Sequence, residues 1–578
     1  MTALRALYFI LLLQPLTALA FTFELEAPAD LRPMLQQHLE VARAQQQQDE
    51  PLAPDELQRL LLLSESSARE LLATEGYFSP TISSDLTGQQ DAELRARLSV
   101  SPGPRTIVRE LVLDLTGAAN EGERQARMRG FLLRDLPLRE GMPFRQADWS
   151  AAKQAVLRPL HAFRYPAASL EASEARIDAD RNEASLLLRV DSGPAFSFGE
   201  LQISGLQRYP ESIVRNLSSI RPGDTYSQQA MFDLQRALVD SGYFTQAQVR
   251  MEPDPAQATA TPVEIEVVEQ KEKRFSFGAG ISTDTGPRVS SEWMLRNLRD
   301  RGLRLTLEGQ MDRAAQQGSA TLAWPKTPRG REHSLSLQHK REDIEGQETR
   351  NNIVGGRTKQ TRGDIETTIA LQYQEESQYV GDEFSARNQA LTANYIWTRR
   401  HVGRAVYPRR GYILTLQGGG ANECLLTDTS FLRLYARHTQ NFPLGNNARL
   451  VLRGEAGGVF SERRDGIPTD FLFRAGGDTS IRGYAYQSIG RDTSGAVQSV
   501  RYLGTASIEY HRFFTSTWGG AVFVDAGDAT DQPAQFAPVF GYGFGMRYAS
   551  PVGPINLDLA WGEATRKLRL HFTLGVTF

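Results

Sequence analysis

The chain ends on Leu568-Arg569-Leu570-His571-Phe572-Thr573-Leu574-Gly575-Val576-Thr577-Phe578. That stretch decides the fold. Its even positions are all apolar, and its odd positions carry Arg, His, Thr and Gly. A strand sends successive side chains to opposite faces, so this strand has one apolar face and one polar face. The same period returns upstream. Phe275, Phe277, Ala279 and Ile281 alternate with Ser276, Gly278, Gly280 and Ser282, and Leu303, Leu305 and Leu307 alternate with Arg304, Thr306 and Glu308. About sixteen such segments run through residues 274–578, fitting a bacterial barrel with an even number of strands, each about 9–11 residues long. In such a barrel one face of every strand meets lipid and the other a wet lumen. A mean hydropathy of −0.39 is therefore no argument against a membrane. Five of the six Trp fall in this half, as aromatic girdles would place them. A soluble β-sandwich would explain the alternation alone.

Residues 21–270 read differently. They carry 37 acidic and 25 basic side chains, a net of −12, whereas the residues after Gln270 carry a net of +8. The basic residues of the second half are dispersed among strands, so nucleic acid is not an expected partner. Three segments of the first half share one pattern. A helical stretch passes through a small residue and an aromatic pair into a strand: Glu75-Gly76-Tyr77-Phe78, Ala162-Phe163-Arg164-Tyr165 and Ser241-Gly242-Tyr243-Phe244. Gly at the exit supplies a positive-φ stop. Ala162 replaces it in the second repeat, which predicts a different turn there. Each repeat closes on a β-rich run: Ala96–Pro104, Leu186–Pro194 and Val263–Glu269. The predicted domains are 21–104, 105–193 and 194–273, followed by the barrel at 274–578.

The first twenty residues read as a secretory signal. Arg5 is the basic end, Ala6–Leu13 the apolar core and Ala18-Leu19-Ala20 the cleavage site. Cys424 is the single cysteine, which excludes an internal disulfide and a cysteine metal cage. The eight His are scattered, with no HExxH or GxSxG motif, so no catalysis and no cofactor or metal is expected. His571 reads as a polar bystander on the inner face of the last strand.

Between the segments ending near Phe460 and resuming near Val500 lie forty residues, too long for an ordinary hairpin. They hold Phe473-Arg474-Ala475-Gly476-Gly477-Asp478 and Ile481-Arg482-Gly483-Tyr484. Further on come Phe523-Val524-Asp525-Ala526-Gly527, Gly541-Tyr542-Gly543-Phe544-Gly545 and Ser550-Pro551-Val552-Gly553-Pro554. Together these motifs resemble the outer-membrane barrel-assembly superfamily of BamA and TamA, and the length and three repeats are similar to its TamA branch. A BamA would need five repeats.

The resemblance implies three α+β POTRA domains in the periplasm, followed by a 16-stranded antiparallel transmembrane β-barrel. It implies that the loop Ile481, Arg482, Gly483 and Tyr484 folds inside the barrel against Phe523, Asp525 and Gly527, with Arg482 paired to Asp525 and Gly476 easing the approach. It also implies a lipid bilayer, client outer-membrane proteins such as autotransporters, and a TamB-like inner-membrane-anchored periplasmic partner. The first and last strands must meet to close the barrel. Gly278 and Gly280 thin that seam beside Phe275 and Phe277, and Gly575 thins the facing strand of Leu574, Val576 and Phe578. Two other readings stand beside this one. A two-partner secretion channel usually carries two POTRA domains and a plug helix. A passive porin or autotransporter barrel has no use for the repeats.

Overall fold

The computed structural model describes residues 21–46, 52–88, 94–120, 124–381, 383–403, 406–493, 495–551 and 553–574. The expected signal at 1–20, and Gly575, Val576 and Phe578 of the expected seam, lie outside them. The chain divides into two compact units, with the boundary crossing back and forth between residues 202 and 264.

Three small sheets precede the barrel. In each, the β-rich run singled out above is the central strand: Arg95–Ser101, Glu183–Asp191 and Thr261–Glu269. Burial explains this choice. Ala96, Leu98 and Val100, then Ala184, Leu186, Leu188 and Val190, then Val263, Ile265 and Val267 turn inward at every second residue. In the first two sheets the opening strand, Thr22–Glu26 or Ile107–Thr116, runs parallel to the centre, and the strand before it in sequence, Thr81–Thr87 or Ser169–Asp178, runs antiparallel.

Helices cover each sheet by burying one stripe. In Pro54–Thr74 the stripe is Leu57, Leu61, Ser64, Ala68 and Leu72; in Gln146–Ala162 it is Trp149, Ala152, Val156 and Leu160; in Gln228–Asp240 it is Leu234 and Leu238. The first segment carries two short helices, Arg32–His38 and Glu40–Gln46, ahead of Pro54–Thr74, three helices among the described residues between its first two strands.

The exit turn corrects one expectation. Gly76 and Gly242 stand two residues past their helices, with φ of 92° and 74°. Arg164 stands two residues past Ala162, with φ of 70°. The second repeat therefore makes the same left-handed turn, with arginine in the position glycine fills elsewhere. Aligning on Ala162 placed the turn two residues early.

The second unit contains the barrel, sixteen antiparallel strands from Lys273–Ser282 to Lys567–Leu574 in a closed ring. Successive strands are hydrogen-bonded neighbours throughout. The eleventh is Ala448–Phe460 and the twelfth Tyr502–Phe513, paired directly with each other across the long insertion. Period two sorts the side chains: Phe275, Phe277, Ile281, Leu568 and Leu570 are outside and exposed, whereas His571 is buried on the inner side.

Candidate functional site

The insertion 461–499 folds into the lumen and is tied to the wall at separate places. Its first limb meets strands five to eight. Glu376, on the seventh strand (Ile365–Val380), is fully buried and accepts from the Thr469 backbone N–H at 3.0 and 3.1 Å and from Thr469 Oγ1 at 2.8 Å. Asp470 receives Lys340 Nζ at 3.0 Å and Gln374 Nε2 at 3.1 Å. Further along, the Phe473 ring stacks on Tyr435 at 6.1 Å and 14°, with the Arg433 guanidinium 4.8 Å from its centroid. Phe473 also exchanges two 2.8 Å backbone hydrogen bonds with Val500, tying the first limb of the insertion to the segment where the chain rejoins the wall.

At the tip, Arg482 is 2% exposed. Its Nε donates to Asp525 Oδ2 at 2.7 Å and Nη2 to Asp525 Oδ1 at 2.9 Å, a two-pronged pairing. Its backbone N–H also reaches Asp525 Oδ2, at 3.1 Å. The remaining prong, Nη1, lies 3.1 Å from both Glu509 Oε2 and Asp558 Oδ2. The guanidinium carbon sits 3.3 Å from the Phe523 ring centroid. Ile481 is buried on one side of the tip, and on the other Tyr484 donates its hydroxyl to Phe540 O at 3.0 Å.

The structure thus brings Arg482, Asp525, Phe523, Ile481 and Tyr484 to one place. Gly527 is on the same inner face, but a side chain there would meet Gly504 O of the neighbouring strand rather than the loop. Gly476 serves a turn within the insertion, against Ala485 O.

Sequence reasoning missed most of the site's charge. Glu509, Arg547 and Asp558 are buried on the twelfth, fourteenth (Val539–Ser550) and fifteenth (Gly553–Gly562) strands. Arg547 pairs with both Glu509 and Asp558. Arg453 on the eleventh strand lies 3.8 Å from Glu509 and 3.9 Å from Asp525. Three guanidinium groups therefore face three carboxylates. This balance is what allows so much charge out of water, where an unpaired ion costs several kcal/mol. Alternation marks each of these residues as inward-facing, but only the inter-strand register shows that they converge.

His571 is no bystander. Its Nε2 accepts from the Gly483 backbone N–H at 3.0 Å, and its Nδ1 lies 3.4 Å from Asp284 Oδ1. Among the described residues, no group of three or more His, Cys, Asp or Glu is placed to hold a metal ion.

At the seam, Phe275 and Phe277 face outward, and Gly278 and Gly280 lie on the inner side of the first strand. Ten residues of that strand pair with the second strand, Gly286–Leu298. Among the described residues, a single pair, Ser282 with Thr573, joins it to the last strand. Thr283 adds two bonds, its N–H to Phe572 O at 3.2 Å and its Oγ1 accepting from Phe572 N at 3.0 Å. On its other side the last strand pairs with the fifteenth, from Leu574 opposite Ile555 to Lys567 opposite Gly562.

Comparison with known proteins places this architecture. Residues 297–578 match the Omp85 superfamily domain, and residues 196–270 match POTRA, the surface antigen variable number repeat. The fold is similar to that of BamA from Haemophilus ducreyi lacking POTRA domains 1–3, at 16% identity and a TM-score of 0.68, over 82% of this chain and 100% of that one. Two further matches are CdiB from Acinetobacter baumannii, 12% identical over 82% of this chain and 91% of that one, and CdiB from Escherichia coli, 13% identical over 91% and 99%. Both have a TM-score of 0.47 and add nothing to the fold assignment.

Proposed function

From a chain whose residues 297–578 match the Omp85 superfamily domain and whose residues 196–270 match POTRA, with a sixteen-stranded closed barrel, we infer an outer-membrane assembly factor that templates client strands at the seam between its first and last strands. The observation that carries this reading is that the barrel closes through antiparallel pairing of its first and last strands, with Ser282 opposite Thr573. A bare strand edge in hydrocarbon leaves several kcal/mol of unmet hydrogen bonding per group. Such an edge opens at low cost only when an incoming strand replaces the old partner. The seam is also where two neighbouring barrel strands lie at opposite ends of the barrel sequence, so they can part without straining a connecting loop.

The inner loop supports the same reading over an export channel, because it is tied to strands five to eight at one end and to strands twelve to sixteen at its tip. A polypeptide passing through the lumen would have to release it. In this reading the three α+β segments are POTRA domains in the periplasm, residues 1–20 are an export signal, and the barrel lies in the bacterial outer membrane. The role is that of a TamA-type component with a TamB-like partner and autotransporter-class clients, without enzymatic chemistry or a cofactor.

The test is a disulfide across the seam, with Ser282→Cys and Thr573→Cys in a Cys424→Ser background. Oxidation should stop client assembly in cells, and a reductant should restore it. Full assembly with the seam crosslinked would overturn the templating reading. Export of a soluble polypeptide that continues in the crosslinked protein would replace it with the secretion channel.

A further inference from the structure

The inner loop reaches both edges of the seam. Asp478 is the bridging residue. Its backbone N–H donates to Asp284 Oδ2 at 2.7 Å, and Asp284 lies in the turn that leaves the first strand. Its carboxylate Oδ2 accepts from Thr573 Oγ1 at 2.8 Å, on the last strand. Five residues on, Gly483 donates its N–H to His571 Nε2, also on the last strand. That bond occupies the Nε2 lone pair, so the proton of the neutral ring sits on Nδ1, facing Asp284 Oδ1 at 3.4 Å. Asp284 is itself oriented by its own N–H, which donates to Ser282 Oγ at 3.1 Å. Contact this close requires a glycine: a Cβ on Gly477 would lie 2.6 Å from Asp284 Oδ2.

We propose that Asp284, Asp478, Thr573 and His571 form a clasp through which the inner loop holds the seam shut, so that opening the seam and releasing the loop tip are one coupled event. The chain of contacts runs from the first strand's turn, through the loop, to the last strand. Separating the two edges strips partners from Asp284 or from Asp478, both half-buried, and breaks hydrogen bonds to charged groups. Coupling of this kind is reciprocal: whatever loosens the tip eases the seam, and an opening seam loosens the tip. The loop then acts as a latch whose state an incoming strand changes by competing for the same edge. The proposal rests on the seam being the working site. Its test needs no client, so the two can fail separately.

The experiment is amide hydrogen exchange on the full chain in lipid nanodiscs, comparing the unsubstituted protein with Asp284→Ala, Thr573→Val and the double variant. Each single substitution should speed exchange in Lys273–Ser282 and Lys567–Leu574, and also in residues 480–484, by roughly ten- to hundredfold, the effect of losing a hydrogen bond to a charged group. The wall strands Gln347–Arg362 and Ile365–Val380 should stay unchanged. The double variant should exceed the larger single effect only slightly, because both substitutions break one chain of contacts. Thr573→Val keeps the size and strand preference of the residue, and carries the test alone if Asp284→Ala does not fold. Unchanged exchange at the seam, an equal rise in every strand, or a faster seam with an unaltered tip would each overturn the clasp.

Discussion

The carbonyl oxygen of Arg482 rests against the α-carbon of Gly541, in the space that any side chain at residue 541 would fill. The tip of the inner loop is therefore seated by backbone shape as well as by charge. Gly541→Ala should lift the tip and cost about 3 kcal/mol as the buried pairing of Arg482 breaks. Trypsin reads this directly, since the bond after Arg482 is shielded when the tip is seated. Equal resistance in the variant would show that the fit at Gly541 is not required.

The charge balance around Arg482 predicts a graded series. Arg482→Ala leaves Asp525, Glu509 and Asp558 facing only Arg547 and Arg453, and should destabilise the barrel by about 3–5 kcal/mol. Arg482→Lys keeps the charge but cannot form the two-pronged bond, and should lose less. Adding Asp525→Ala to Arg482→Ala should recover at least about 1 kcal/mol of the summed single losses. The temperature at which the barrel loses compact migration on a gel measures all three.

The opposite anchor should behave independently of the tip. Glu376→Gln turns one acceptor facing the Thr469 N–H into a donor, at a cost of about 1–3 kcal/mol. Amide exchange should quicken in residues 467–471 and stay unchanged in 480–484. A change at the tip would mean that the loop moves as one rigid piece.

The helix exits give a prediction of backbone strain. Gly242 has open space around it, so Gly242→Ala should cost only the left-handed penalty of about 1–2 kcal/mol. Gly76→Ala should cost more, because its side chain would also run into the Phe144 carbonyl. Arg164→Gly should be neutral or stabilising, since it relieves the strain already present. Urea unfolding of the full chain, followed by amide exchange in each helix, separates the three.

Glu269, ahead of the barrel, carries a pH prediction. Burial alone would raise its pKa, but backbone N–H groups of Tyr209, Gln207 and Arg208 at 2.8–2.9 Å hold it below the usual 4.5. A lowered folded pKa gives stability that is present above about pH 4.5 and is lost as the pH falls through the folded value. Glu269→Gln should remove that acid sensitivity locally, measured as exchange of the 207–209 amides between pH 6 and pH 3.

How much of this was legible in advance follows from the range of each interaction. Alternation at Leu568–Leu574 and Phe275–Ser282 is local, so strand identity, facing and the approximate number of strands could be read from residues in order. The Arg482 and Asp525 motifs were legible as motifs because their spacing and glycines stand out. The second repeat's turn was misplaced because Arg164 adopts a conformation that nothing in its residue type announces.

The sequence by itself determined a strand-rich half with one wet and one apolar face, a repeated α+β half, and an insertion too long to be a hairpin. Only the tertiary structure decided which inward residues meet. Glu509, Arg547 and Asp558 come from three strands whose relative register is set by the closure of the barrel, and Asp478 reaches Asp284 across 194 positions of chain. The physical reason is the range of the forces. Side-chain alternation depends only on neighbouring residues, whereas convergence of charges in a lumen depends on strand shear and loop path, which no local pattern encodes.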